Sequence, residues 1–87
     1  MNDIAKKLNS IQQFAIEQLK HWGLTGSHNN DWCFVWDNSV RRYGQCRYRK
    51  QEIGISKHLA KLNSIEETKD TVLHEIAHAL TGVGHGH

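Results

Sequence analysis

The stretch from Ser64 to Gly82 constrains this chain more than any other. Ser64 and Glu67 stand in S-x-x-E spacing, a capping box in which each side chain satisfies the other residue's backbone N–H. It predicts a helix starting at about Ile65. Glu66, Glu67 and Asp70 put negative charge in the first turns, where the helix macrodipole favours it. Ile65, Val72, Ile76 and Ala79, with Leu73, Ala77 and Leu80 alongside, make a broad apolar face, and Gly82 stands where such a helix ends. Well inside it, residues 74–78 read His74-Glu75-Ile76-Ala77-His78, or H-E-x-x-H. Histidines four residues apart share one helix face, so both imidazoles can reach a single Zn²⁺. Glu75 lies about 100° further round, placed to act on a metal-bound water without ligating. The competing explanation is an amphipathic helix with two incidental histidines. The capped helical setting favours the metal.

A catalytic zinc takes three protein ligands and keeps one position for water. The metzincin pattern asks for Gly and His three and six residues after the second histidine, but Thr81 and Gly84 occupy those positions. No glutamate follows the helix. The remaining donors lie in Gly82-Val83-Gly84-His85-Gly86-His87, whose glycines let the backbone turn back, so either His85 or His87 could reach the metal. Of the seven histidines, four fall at or after position 74. Tail histidines without a ligand role are the alternative. His21, His28 and His58 have no motif around them and read as surface residues.

Eighty-seven residues support one domain, 1–87, near the lower size limit for unaided folding, where a bound metal is a useful staple. The apolar fraction of 38% and mean hydropathy of −0.65 fit a soluble globular chain. No apolar run is long enough to span a bilayer, and no apolar segment follows the N-terminal charges as in a secretory signal. The expectation is a cytoplasmic protein, nuclear if eukaryotic, with no membrane partner. Cys33 and Cys46 are not a C-x-x-C pair, and in that compartment they read as reduced core thiols.

Residues 3–22 read as a first helix: Ile4, Leu8, Ile11, Ala15 and Leu19 form a stripe that Phe14, Ile16 and Trp22 widen, with Asn2 or Asp3 as cap and Gly23 as terminator. A polar loop, 25–31, leads to an aromatic and β-branched run, Trp32 to Trp36, that reads as a strand. The turn signal Asp37-Asn38-Ser39 precedes a second strand, about Arg42 to Lys50, with Gln45, Arg47 and Arg49 on one face and Cys46 and Tyr48 on the other. Ile53 and Ile55 mark a short third strand, and Ser56 begins a helical stretch through Leu59 and Leu62.

Arg41, Arg42, Arg47, Arg49 and Lys50 concentrate five positive charges in ten residues, with Tyr43 and Tyr48 interleaved. Such a segment suits nucleic-acid phosphates and unpaired bases. It equally suits a solvated hairpin whose charges keep its edge from pairing with another chain. The overall net charge of +2 names no partner.

The run Gly44-Gln45-Cys46-Arg47-Tyr48, then Ile53-Gly54-Ile55-Ser56, then H-E-I-A-H-A-L and the G-H-G-H tail, resembles the SprT-like zinc metalloprotease domain, the Spartan-related family. The resemblance covers roughly residues 5–87. H-E-x-x-H is shared by many peptidase clans; G-x-C-x-Y followed by I-x-I-S is the more specific part. The resemblance implies an α+β fold of zincin type: an N-terminal helix, a small three-stranded antiparallel sheet and a C-terminal helix carrying H-E-x-x-H. It implies Zn²⁺ held by His74 and His78, Glu75 as general base, and a peptidase acting on protein substrates that include DNA-associated ones. In the family the third histidine precedes an aromatic residue by four positions. This sequence has no such aromatic, and placement favours His87 over His85. It also has neither the cysteine-rich zinc ribbon of many relatives nor the helix after the third ligand, which implies a piece of a longer protein. For the oxyanion, Tyr43, Tyr48 and the nearby arginines are unranked candidates. The rival class is a non-catalytic zinc-stabilised module that binds nucleic acid or acts as an adaptor. Such a site has no use for Glu75 and wants a fourth protein ligand.

Overall fold

The apolar stripe near the N-terminus forms the first helix in the computed structural model, which describes residues 3–26 and 30–82. This helix, α1, spans Asp3–His21 and buries Ile11, Ala15 and Leu19. Ile4 and Trp22 are 47% and 50% exposed, so the stripe works only over the middle of the helix. Gly23, at φ +72°, terminates it. Its N–H donates to the Lys20 carbonyl and that of Leu24 to the Leu19 carbonyl, the paired bonds of a Schellman motif. Leu24 is thereby turned into the core.

Three strands follow: β1 (Cys33–Asp37), β2 (Gly44–Arg47) and β3 (Glu52–Ser56). The sheet is mixed rather than antiparallel. β3 is central, parallel to β1 and antiparallel to β2. The short β2–β3 turn closes a hairpin, whereas the longer 38–43 connection carries the chain past the site of β3 to the far edge. Gln51 closes that turn at φ +55°, and its carbonyl then accepts from the Cys33 N–H, tying β1 to the start of β3. β2 is shorter than the run Arg42 to Lys50. Arg42 instead donates its N–H to the Ser39 hydroxyl, and residues 48–51 form the turn. Arg49 therefore lies beyond the strand and does not share a strand face with Gln45 and Arg47.

The register places Phe34, Trp36, Gly44, Cys46, Ile53 and Ile55 on one side of the sheet and Asp37, Arg47, Glu52 and Gly54 on the other. On the second side Arg47 lies 3.6 Å from both Asp37 and Glu52. A Cβ at position 54 would come within 2.8 Å of Nη1 of Arg47, so glycine makes room for the bridge across the central strand. A short helix, α2 (Lys57–Leu62), is capped by the Ser56 hydroxyl, which accepts from the Leu59 N–H. Lys7 of α1 donates to the Lys61 carbonyl in the last turn of α2 and to the Asn63 carbonyl just beyond it.

The last helix, α3, spans Ile65–Gly82 and buries Val72, Ile76 and Ala79. It lies against α1 and over β2 and β3, while α1 covers β1. The strand order brings β2 and β3, rather than β1, beneath α3. Leu73 and Leu80, 40% and 41% exposed, also fall outside the core. α1 and the sheet cover only the arc centred on Val72, Ile76 and Ala79. Cys33 and Cys46 are both free thiols, but Cys33 is exposed and Cys46 half-buried, so neither is a full core residue.

Candidate metal centre

The start of α3 is set by the capping box. The Glu67 N–H donates to the Ser64 hydroxyl at 3.1 Å, and the Ser64 N–H donates to the Glu67 carboxylate at 3.1 Å. Two and a half turns later the helix presents His74 and His78 to solvent and turns Glu75 inward. The two Nε2 atoms lie 3.0 Å apart, with ring planes at 88°. Across this contact one Nε2 donates to the other. Two imidazoles on a tetrahedral zinc, each at 2.0–2.1 Å, hold their nitrogens about 3.3 Å apart. Exposed side chains cover the difference of a few tenths of an ångström by small torsional changes. The pair fits a zinc as two of its ligands.

Beside the pair is an open cleft of about 490 Å³ lined by Tyr43, Gly44, Asp70, Thr71, His74 and Glu75. Glu75 is buried in its wall because β2 approaches α3 closely at Gly44. A Cβ there would stand 2.8 Å from Cγ2 of Thr71 and 2.9 Å from both Cγ and Oε2 of Glu75. Any side chain at position 44 forces the strand or the carboxylate away. The Tyr43 hydroxyl is paired with the Thr68 hydroxyl at 2.6 Å, and the Tyr48 hydroxyl donates to the His78 carbonyl at 3.1 Å. Both phenols named for the oxyanion are thus engaged within the protein, and only Tyr43 lines the cleft.

Charge in this corner is moderated by burial. Desolvation pushes the Cys46 thiol up, the Glu75 carboxylate adds to the rise, and the hydrogen bond with Tyr48 opposes it. The Tyr48 phenol is raised chiefly by desolvation and next by Cys46. Both groups stay protonated at neutral pH. Cys33, also raised chiefly by desolvation, has Glu52 and Asp31 as its charged neighbours.

A model of the SprT-like family matches residues 12–87. The chain belongs to the SprT-like family. Comparison with curated proteins and with solved structures gave no match.

The described residues of this SprT-like chain bring together His74, His78 and Glu75 but contain no group of three His, Cys, Asp or Glu side chains placed to hold a metal. His85 and His87, the expected third ligands, lie outside the described residues, as does His28. His21 and His58 are exposed. Of the five basic residues, one is engaged within the sheet. Arg47 is half-buried and held by Asp37, Glu52 and the Gln45 side chain. Arg41 and Arg42 precede β2, and Arg49 and Lys50 follow it, so the four exposed cations sit at opposite ends of that strand. No helix among the described residues is long and apolar enough to cross a membrane. Residues that sequence reasoning passed over are Asp70 and Thr71, one turn before the pentad on the cleft side. Their spacing of four from His74 and Glu75 was the available signal.

Proposed function

We propose that this SprT-like chain is a zinc-dependent endopeptidase in which His74, His78 and His87 hold the metal and Glu75 is the general base. The observation that carries the reading is the convergence of two Nε2 atoms to 3.0 Å beside a cleft whose wall contains the Glu75 carboxylate. Zinc, when bound, supplies a water whose pKa is near 7 and polarises the scissile carbonyl. Glu75 accepts the proton of the attacking water on a carboxylate oxygen and returns it to the leaving amine. Its place against Gly44 confines that carboxylate, so little orientational search precedes the transfer. The open cleft admits an extended polypeptide. A purely structural zinc would want a fourth protein ligand and would leave Glu75 without a task.

The test combines zinc stoichiometry at neutral pH with hydrolysis of an unfolded protein substrate. His74→Ala and His78→Ala should lose stoichiometric zinc, His87→Ala should weaken it strongly, and His85→Ala should be milder. Glu75→Gln should keep its zinc and lose hydrolysis by about 10²-fold or more, because the amide accepts no proton. A zinc-loaded Glu75→Gln protein as active as the parent removes Glu75 as the base. A larger loss from His85→Ala than from His87→Ala exchanges the two tail roles, and a parent that takes up no zinc rejects the metal reading.

A further inference from the structure

Counting in twos from Gly44 through Cys46 gives Tyr48, one residue past β2, and Gly44 and Tyr48 meet α3 in order. Gly44 lies against Thr71 and Glu75. Tyr48, just past the strand, reaches His78 and Gly82. Four strand residues advance about 13 Å and the helix from 75 to 82 about 10 Å, so strand and helix run side by side. The G-x-C-x-Y spacing is a rail for the helix that carries the histidines. Its first position seats Glu75; its last, Tyr48, stands outside the cleft lining.

We propose that Tyr48 is a positioning residue for the histidine pair, acting through the backbone of the end of α3 rather than by touching metal or substrate; this rests on the metal reading of His74 and His78. Three contacts define the role. The hydroxyl donates to the His78 carbonyl at 3.1 Å, fixing the peptide from which that imidazole hangs. A Cβ at position 82 would stand 2.5 Å from Cε1 and from the hydroxyl oxygen of Tyr48, so the ring occupies the space a side chain there would need. The ring is braced edge-on against Trp32, centroids 6.0 Å apart and planes at 90°, and Trp32 is itself only 1% exposed. A hydrogen bond to a carbonyl late in a helix limits the local opening of that turn. Here the brace runs from a buried tryptophan through Tyr48 to the carbonyl of a ligand residue. Glycine at position 82 therefore admits the ring.

Tyr48 is 40% exposed, so its hydrogen bond adds little to global stability; its effect falls on the last turn. The test uses the full chain with Tyr48→Phe, which keeps the ring and removes the donor, and Gly82→Ala, which displaces the ring. Two readouts are taken: amide exchange along α3 in the metal-free protein, and affinity and ligand-field spectrum for cobalt(II). Tyr48→Phe should unfold thermally close to the parent, exchange faster at residues 79–82 than the parent, and bind cobalt about tenfold more weakly, as loss of a residue that orients a ligand does. Gly82→Ala should weaken cobalt in the same direction although alanine is the better helix former. Unchanged exchange at 79–82 in Tyr48→Phe overturns the proposal, and so does faster exchange with parental cobalt affinity. If the parent itself takes up no cobalt, the metal reading fails and the positioning role falls with it. A parent that binds and a Tyr48→Phe variant that binds equally well sink the Tyr48 role alone.

Discussion

The two ends of α3 are held by different kinds of interaction. At the start, Ser64 and Glu67 exchange hydrogen bonds within a four-residue window. At the finish, the hydroxyl of Tyr48, 30 residues upstream of its partner, reaches the His78 carbonyl. The first is local chemistry that forms wherever the helix forms. The second exists only once β2 has docked along the helix. The histidines lie near the second end, so the helical repeat pairs them while tertiary packing holds the turn that carries His78.

Three substitutions break or sharpen this contrast, taken from the largest expected effect to the smallest. Ile76→Ala strikes the middle of the helix, where the side chain is 2% exposed, and should cost about 2–5 kcal/mol through lost burial and the cavity left behind. Chemical denaturation measures it, and a loss below 1 kcal/mol would mean that α3 is not anchored by this face. Gly44→Ala should cost about 1–3 kcal/mol, since the new methyl meets Thr71 and Glu75 and pushes β2 off the helix. It should weaken metal binding as well, because the brace at the far end goes with the strand. Ser64→Ala should cost about 1 kcal/mol by removing the N-cap and leave cobalt affinity at the parental value. Equal weakening of cobalt by Ser64→Ala and Gly44→Ala would show that the two ends are not independent.

Much of this architecture was legible because its determinants are short-range. The start of α3 follows from Ser64 and Glu67, and the limits of α1 from its apolar period and Gly23. The pair His74/His78 needed only the helical repeat. What escaped is set by partners distant in the chain. Nothing in residues 32–37 states that β1 will lie beside β3 and run parallel to it, since a hydrophobic strand suits either neighbour and either direction. Arg47 reads as one of five hairpin cations until Asp37 and Glu52 are placed on either side of Gly54. Leu73 and Leu80 share a helix with Val72 and Ile76, and only the positions of α1 and the sheet decide which of them is covered. The role of Tyr48 was likewise hidden, although its spacing from Gly44 and Cys46 is the alternation of a strand.

The placement of Gly44 has a consequence for the order of folding. β2 and β3, separated by the four-residue turn 48–51, close a short loop at small entropic cost, whereas Gly44 and Glu75 are far apart in the chain and close a long one. A lone hairpin is marginal in water, so the strand bearing the gap gains its stability when α3 docks on it. Seating the Glu75 carboxylate and fixing β2 are then one event rather than two.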